Sequence, residues 1–209
     1  MQNAEINRAI KHLSKHDNTL STIIKNNGII NLTPHKKYFN ALLDAIIGQQ
    51  LSTYAADKIA SRFMNLFNNN PMPEQILDAE ETSLRAVGLS NAKVKYVKDL
   101  AKKILSRDIN LKGLSKKSDE EIILELTKVK GIGVWTSHMF LIFTLGRLNV
   151  LPYSDLGIRK AVMLNYRLKK LPDEMKIRSI AKKYNWNPYC SVVSRYLWKS
   201  LDSNIIQRD

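Results

Sequence analysis

The 209-residue chain is long enough for one domain or two small lobes around a real hydrophobic core. Its 44% hydrophobic and 8% aromatic content excludes global disorder, and only 8 Gly and 6 Pro argue against a loop-rich or all-β fold. Its 33 basic and 19 acidic side chains give a net charge of +14, which points to a polyanion partner or to a solvated lysine-rich surface.

Helical periodicity runs almost throughout. Residues 4–15 and 18–27 fit short amphipathic helices. In LTPHKKYFNALLDAIIGQQ, Thr33 is a candidate N-cap and Pro34 a first helical residue. Phe39, Leu42, Leu43, Ile46 and Ile47 recur there at helical spacing. TYAADKIASRFMNLF continues as a second helix to about Phe67, and NNNPMP is a turn. PEQILDA and ETSLRAV are short helices, the latter ending at Gly88. Ser90 caps a helix to about Arg107. Ser118 caps DEEIILELTKV, with Glu121 completing a capping box.

The hairpin KGIG and the helix VWTSHMFLIFTLG follow, then the extended RLNVLPYS. Three more helices complete the chain: DLGIRKAVMLNY, DEMKIRSIAKKY and PYCSVVSRYLWKSLD. No segment reads as a strand. The fold class is all-α, of roughly ten helices.

The charge excess is uneven. Residues 1–90 hold 9 basic and 8 acidic side chains, and residues 91–209 hold 24 and 11, so a polyanion would lie mainly against the second part. No apolar run reaches membrane-spanning length, and the first residues lack the apolar core of a signal peptide. The single cysteine, Cys190, can form neither an internal disulfide nor a cysteine-rich metal site. A cytoplasmic protein is expected, or a nuclear one if the source is eukaryotic, with no membrane partner.

Two helices joined by Lys130-Gly131-Ile132-Gly133 can bring backbone N–H groups to one point at the start of the second helix, where an anion suits both the donors and the helix dipole. Glycines let another backbone approach, and Ile132 can anchor the turn in the core. Gly-x-Gly by itself equally suits a tight helix–helix turn. Twenty residues past Trp135, Asp155 stands at the mouth of a helix after an extended segment. In isolation it is most simply an N-cap.

The hairpin, its following helix, the extended segment and the capping Asp, in this order, resemble the helix-hairpin-helix DNA glycosylase superfamily. AIIGQQLSTYAADKIASRF, VGLSNAKVKYVKDLAKKI and WNPYCSVVSRYLW are similar to stretches of its DNA-3-methyladenine glycosylase II group. The likeness spans residues from about 40 to 200. It implies a compact member without the N-terminal β-rich domain of some relatives, acting as one unit over 1–209. That unit would be two helical lobes with a DNA-binding cleft between them. One lobe would cover roughly 34–115, and the other would be built from 1–33 and/or 116–209.

The resemblance implies a monofunctional DNA glycosylase that flips out and hydrolyses off alkylated purines, 3-methyladenine and 7-methylguanine, in base excision repair. The partner would be double-stranded DNA containing alkylated bases, and the enzyme a monomer. Asp155 would be the catalytic carboxylate. Trp135 stands where strand-cutting members carry a lysine nucleophile, and it cannot form a Schiff base. With Met139, Tyr38, Phe39 and Tyr153 it would line the base pocket, attracting cationic purines. Gln49, Gln50 or Leu51 would fill the hole left by the flipped nucleotide. Lys130, Gly131, Ile132, Gly133, Lys93, Lys95, Arg159 and Lys160 would hold the DNA backbone.

No cofactor is required and no metal-ligating cluster is expected; the resemblance allows a monovalent cation on the hairpin carbonyls. Trp198 reads as core, and Cys190 departs from an arginine frequent in the group. A non-catalytic helix-hairpin-helix DNA-binding module, or a glycosylase for mismatched or oxidised bases, are the alternatives.

Overall fold

The computed structural model describes residues 2–206, with side chains described over 4–202. Among these residues there are twelve α-helices, a 3-10 turn, a π turn and no strand. The chain divides into two compact units: Met1–Pro34 with Leu141–Asp209, and His35–Phe140. The unit that begins at His35 thus includes the hairpin and runs well past residue 115.

In the unit His35–Phe140, α3 (Tyr38–Gly48) buries Leu42, Leu43, Ile46 and Ile47, the i, i+1, i+4, i+5 face that its sequence predicts. Burying each side chain contributes roughly 1.5–3 kcal/mol. Helix α3 packs on α4 (Thr53–Leu66) and on α7 (Asn91–Leu105), which also receives α5 (Pro73–Asp78) and α6 (Glu81–Ala86). Ser90 caps α7 through the N–H of Lys93, and Gly88, one residue beyond the C-cap Val87 of α6, takes φ +109°. A 3-10 turn, Leu111–Lys116, precedes α8 (Asp119–Leu126), whose Ser118–Glu121 capping box forms as expected. Helix α9 (Val134–Met139) follows the hairpin and runs into the π turn Phe140–Thr144.

Thr33 and Pro34 do not start α3, whose N-cap is Lys37. Ile30 and Leu32 are buried in the first unit, so residues 33–37 form the non-helical passage to the second. Tertiary burial overrides a favourable capping dipeptide here.

In the other unit, α12 (Cys190–Ile206) packs against α1 (Gln2–His16), α2 (Asn18–Asn27) and α10 (Leu156–Asn165); α11 (Glu174–Lys183) precedes it in the chain. Its polar centre is Asp17, which is fully buried. One carboxylate oxygen caps α2 through the N–H of Leu20 at 3.0 Å. The other accepts from the Tyr166 hydroxyl at 2.6 Å and from Trp186 Nε1 at 2.9 Å. Burial first, and then the Asp17 charge, push the Tyr166 phenol far above its ordinary pKa, so it remains a donor. Trp186 is therefore a core residue.

Candidate active site

The hairpin is built from the inside. Ile132 is buried and its N–H donates to Val129 O at 3.1 Å. Gly131 takes φ +84°, and a Cβ there would lie 2.2 Å from the Tyr96 ring. Both facts require glycine. Gly133 differs, because its φ is −101° and a Cβ would meet nothing within 4 Å. Nothing inside the described protein demands a glycine at 133, so the open space above it suits an approaching backbone. Asp99 Oδ2 accepts from the Lys130 N–H at 2.8 Å and ties the turn to α7.

Gln49 Nε2 donates to Gly131 O at 2.7 Å. Its amide thus ties the end of α3 to the hairpin. Gln50 and Leu51 remain exposed in the bend between α3 and α4, where Gln50 has φ +57°. Left-handed backbone at a side chain other than Gly, Asn or Asp is uncommon.

Beside this bend is a pocket of about 620 Å³, lined by Asp44, Ala45, Gly48, Gln49, Gln50, Leu51, Trp135, Thr136 and Met139. Its volume falls in the range of roughly 300–1,000 Å³ usual for small-molecule sites. Trp135 is 46% exposed, so it is not a core residue. Trp135 and Met139 come together as expected, but Tyr38 and Phe39 do not join them. They line a separate cavity with Pro71, Met72 and Ile104, and Tyr38 packs edge-on against Phe140. They stand at the start of α3, about two and a half turns or more before Gly48 at its end. Tyr153 belongs to the other unit, where the Arg178 guanidinium covers its ring at 4.3 Å.

The basic residues divide as well. Lys95, Lys130 and Lys160 are exposed. Lys93 is not: its Nζ donates to Ile47 O at 2.7 Å and Gln49 O at 2.8 Å, satisfying carbonyls at the C-terminus of α3. Burial lowers its pKa. Lys93 thus acts as an internal cap of α3. Arg159 is half-buried, with Nε donating to Pro172 O at 2.8 Å.

Asp155, in the unit containing α10 and α12, caps α10 through the N–H of Ile158 at 2.7 Å. The extended segment before it is held at Val150, whose N–H donates to Ser191 Oγ at 2.9 Å, and at Leu148, whose carbonyl accepts from the Ser191 N–H at 2.9 Å. The same Oδ1 that caps α10 accepts from Trp198 Nε1 at 2.9 Å. Trp198 stacks on Phe143, with centroids 5.8 Å apart. A Cβ at Gly157 would stand 3.0 Å from Asp155 Oδ1 and 3.0 Å from Trp198 Cδ1. The indole is thus half-buried beside the carboxylate, which corrects its reading as simple core. A signal existed: glycine in a helix's first turn, as in DLGIR, marks close packing.

Gly133 O accepts from both the N–H and the hydroxyl of Ser137, at 3.0 Å each, which saturates it. Val129 O and Gly131 O each accept one hydrogen bond and retain a lone pair. Among the described residues no three His, Cys, Asp or Glu side chains come together to hold a metal ion. No helix among them is long and apolar enough to cross a membrane.

The Gly131-Ile132-Gly133 hairpin and the helix-capping Asp155 both lie within a stretch that matches a DNA repair family. Residues 43–186 match the model of the HhH-GPD superfamily of base excision DNA repair proteins, and the chain belongs to it. It is 31% identical over 204 residues to the alkylbase DNA glycosidase-like protein mag2 of Schizosaccharomyces pombe, covering 95% of each chain. It is 35% identical to DNA-3-methyladenine glycosylase 1 of the same yeast, covering 93% of this chain and 87% of that one. The structure of the S. pombe 3-methyladenine DNA glycosylase Mag1 in complex with abasic DNA superposes with a TM-score of 0.82 at 35% identity, over 92% of this chain and 95% of that one.

Proposed function

We propose that this protein is a monofunctional DNA glycosylase that flips out 3-methyladenine and 7-methylguanine and releases them by hydrolysis, leaving an abasic site for base excision repair. The relatives named for alkylated-base excision support the reading. The observation that carries it within the chain is the doubly held carboxylate of Asp155. A helix cap needs one donor, the Ile158 N–H. A second, from the Trp198 indole, holds the group's orientation as well.

Breaking the C1′–N bond leaves positive charge on the sugar, with the bond's electrons departing on the base. Asp155 offsets that charge and accepts the proton of the water that adds to C1′. An alkylated purine is already cationic and leaves with little protonation. Trp135 offers it an aromatic face worth roughly 0.5–2 kcal/mol. Trp135 in place of a lysine supports base release without strand cleavage. The exposed Gln50–Leu51 bend is suited to fill the duplex, and Gly133 with Lys130 to carry a phosphate. A monovalent cation on the hairpin would draw on Val129 O and Gly131 O and would help neutralise that phosphate.

The test is Asp155→Asn on methylated duplex DNA. Asn retains an N-cap acceptor, so folding should persist while base release falls by at least about 10²-fold. Undiminished release from a folded variant would leave only a passive DNA-binding module. Release of uracil or 8-oxoguanine in preference to 3-methyladenine would move the substrate to mismatched or oxidised bases.

A further inference from the structure

We propose that Asp44 is a charge-selecting residue of the base pocket, favouring purines made cationic by alkylation over neutral damaged bases. The inference rests on the excision reading above and adds to it a specificity-determining side chain. The pocket beside Trp135 is anomalous within its own protein. The chain carries a net +14, yet the nine lining residues include no lysine or arginine, and Asp44 is their one ionisable group. A site for a phosphate would show the opposite balance. An aromatic face and a carboxylate in one pocket, with otherwise neutral walls, is the chemistry of a cation site.

Asp44 is placed for this by its helix. It stands one turn before Gly48 on α3, so the two share the pocket-facing side, while Leu42, Leu43, Ile46 and Ile47 take the core side. No hydrogen bond or ion pair engages its carboxylate among the described residues. Asp44 is exposed to solvent, and its pKa is raised, by partial burial first, with His35 opposing and Asp57 adding. A cationic base entering the pocket would be attracted by the carboxylate. A neutral base would not.

The experiment compares single-turnover excision of 7-methylguanine, a cation, with that of hypoxanthine and 1,N6-ethenoadenine, both neutral, from otherwise identical duplexes. Asp44→Asn keeps size and hydrogen bonding and removes the charge. Its 7-methylguanine rate should drop about tenfold relative to its rates on the neutral lesions, and Asp44→Glu should recover most of the ratio. Equal effects on all three lesions, or none, would overturn the assignment while leaving the excision reading intact. A wild-type protein that releases no base from methylated DNA would overturn both. Unchanged melting temperatures keep the comparison free of folding effects.

Discussion

Trp198 Nε1 and the N–H of Ile158 meet on one oxygen of Asp155, at 2.9 and 2.7 Å. Two donors on Oδ1 fix the carboxylate's plane relative to α10 and the indole, so the indole acts as a positioning residue. Trp198→Phe keeps the aromatic stack on Phe143 and removes the donor. We expect kcat to fall about tenfold with KM little changed, and stability to fall by about 1 kcal/mol. The double variant with Asp155→Asn should lose no more than Asp155→Asn alone, because a role exerted through Asp155 cannot add to its removal.

Gly157→Ala probes the same contact from the backbone side. Alanine normally favours a helix over glycine by roughly 0.5–1 kcal/mol. Here its Cβ would stand 3.0 Å from both Asp155 Oδ1 and Trp198 Cδ1, tighter than ordinary contact. The indole must move away. Base release should decline severalfold, and a melting curve should show none of the usual gain.

The two hairpin glycines should respond in opposite ways. Gly131→Ala meets both a φ of +84° and the Tyr96 ring at 2.2 Å, and should destabilise by about 2 kcal/mol or more in denaturant titration. Gly133→Ala meets neither obstacle, so its stability should stay within about 0.5 kcal/mol of wild type. Its DNA affinity, read by fluorescence anisotropy, should nonetheless weaken about tenfold. Equal affinities would show that no strand comes close to residue 133.

Neighbouring lysines on α7 give a further contrast. Lys95 is exposed, whereas Lys93 caps α3. If Lys95 neutralises a phosphate, Lys95→Ala should reduce the log–log salt slope of binding by about 0.9. Lys93→Ala should leave the slope unchanged and lower the melting temperature, since two carbonyls at the end of α3 lose their donor.

Cys190 is buried, and burial pushes its thiol up to about 11 from 9.0. The folded state thus prefers the protonated form. Its contribution to stability is complete below pH 9 and is lost as pH rises towards 11. A thiol reagent at pH 8 should label the native protein slowly and the denatured protein fast, and Cys190→Ala should flatten the alkaline part of the stability profile.

Much of this molecule was readable one residue at a time. Local signals placed the elements: Ser90, Ser118 and Asp155 cap the helices they precede, and the apolar spacing of α3 names its buried face. Such signals act within one or two turns, so sequence separation does not blur them. Thr33-Pro34 failed because burial of Ile30 and Leu32, a non-local term, outweighed a local preference. Residue type left Asp155 a helix cap and the glycines a tight turn; it was the order of motifs, in its likeness to the helix-hairpin-helix glycosylases, that singled out Asp155, the hairpin glycines and Trp135 as the candidates for chemistry.

What each polar side chain holds was decided only in three dimensions. Gln49 reaches Gly131 across 82 positions, Lys93 reaches Ile47 across 46, and Trp198 reaches Asp155 across 43. No spacing rule encodes those partners, because they follow from how helices pack. A lysine that binds DNA and one that caps a helix are the same residue in sequence. The sequence by itself therefore determined the helices, the hairpin and the acidic group at a helix mouth. The tertiary structure decided which of the nearby groups are engaged internally and which face solvent, because hydrogen-bond partners are set by distance in space and not along the chain.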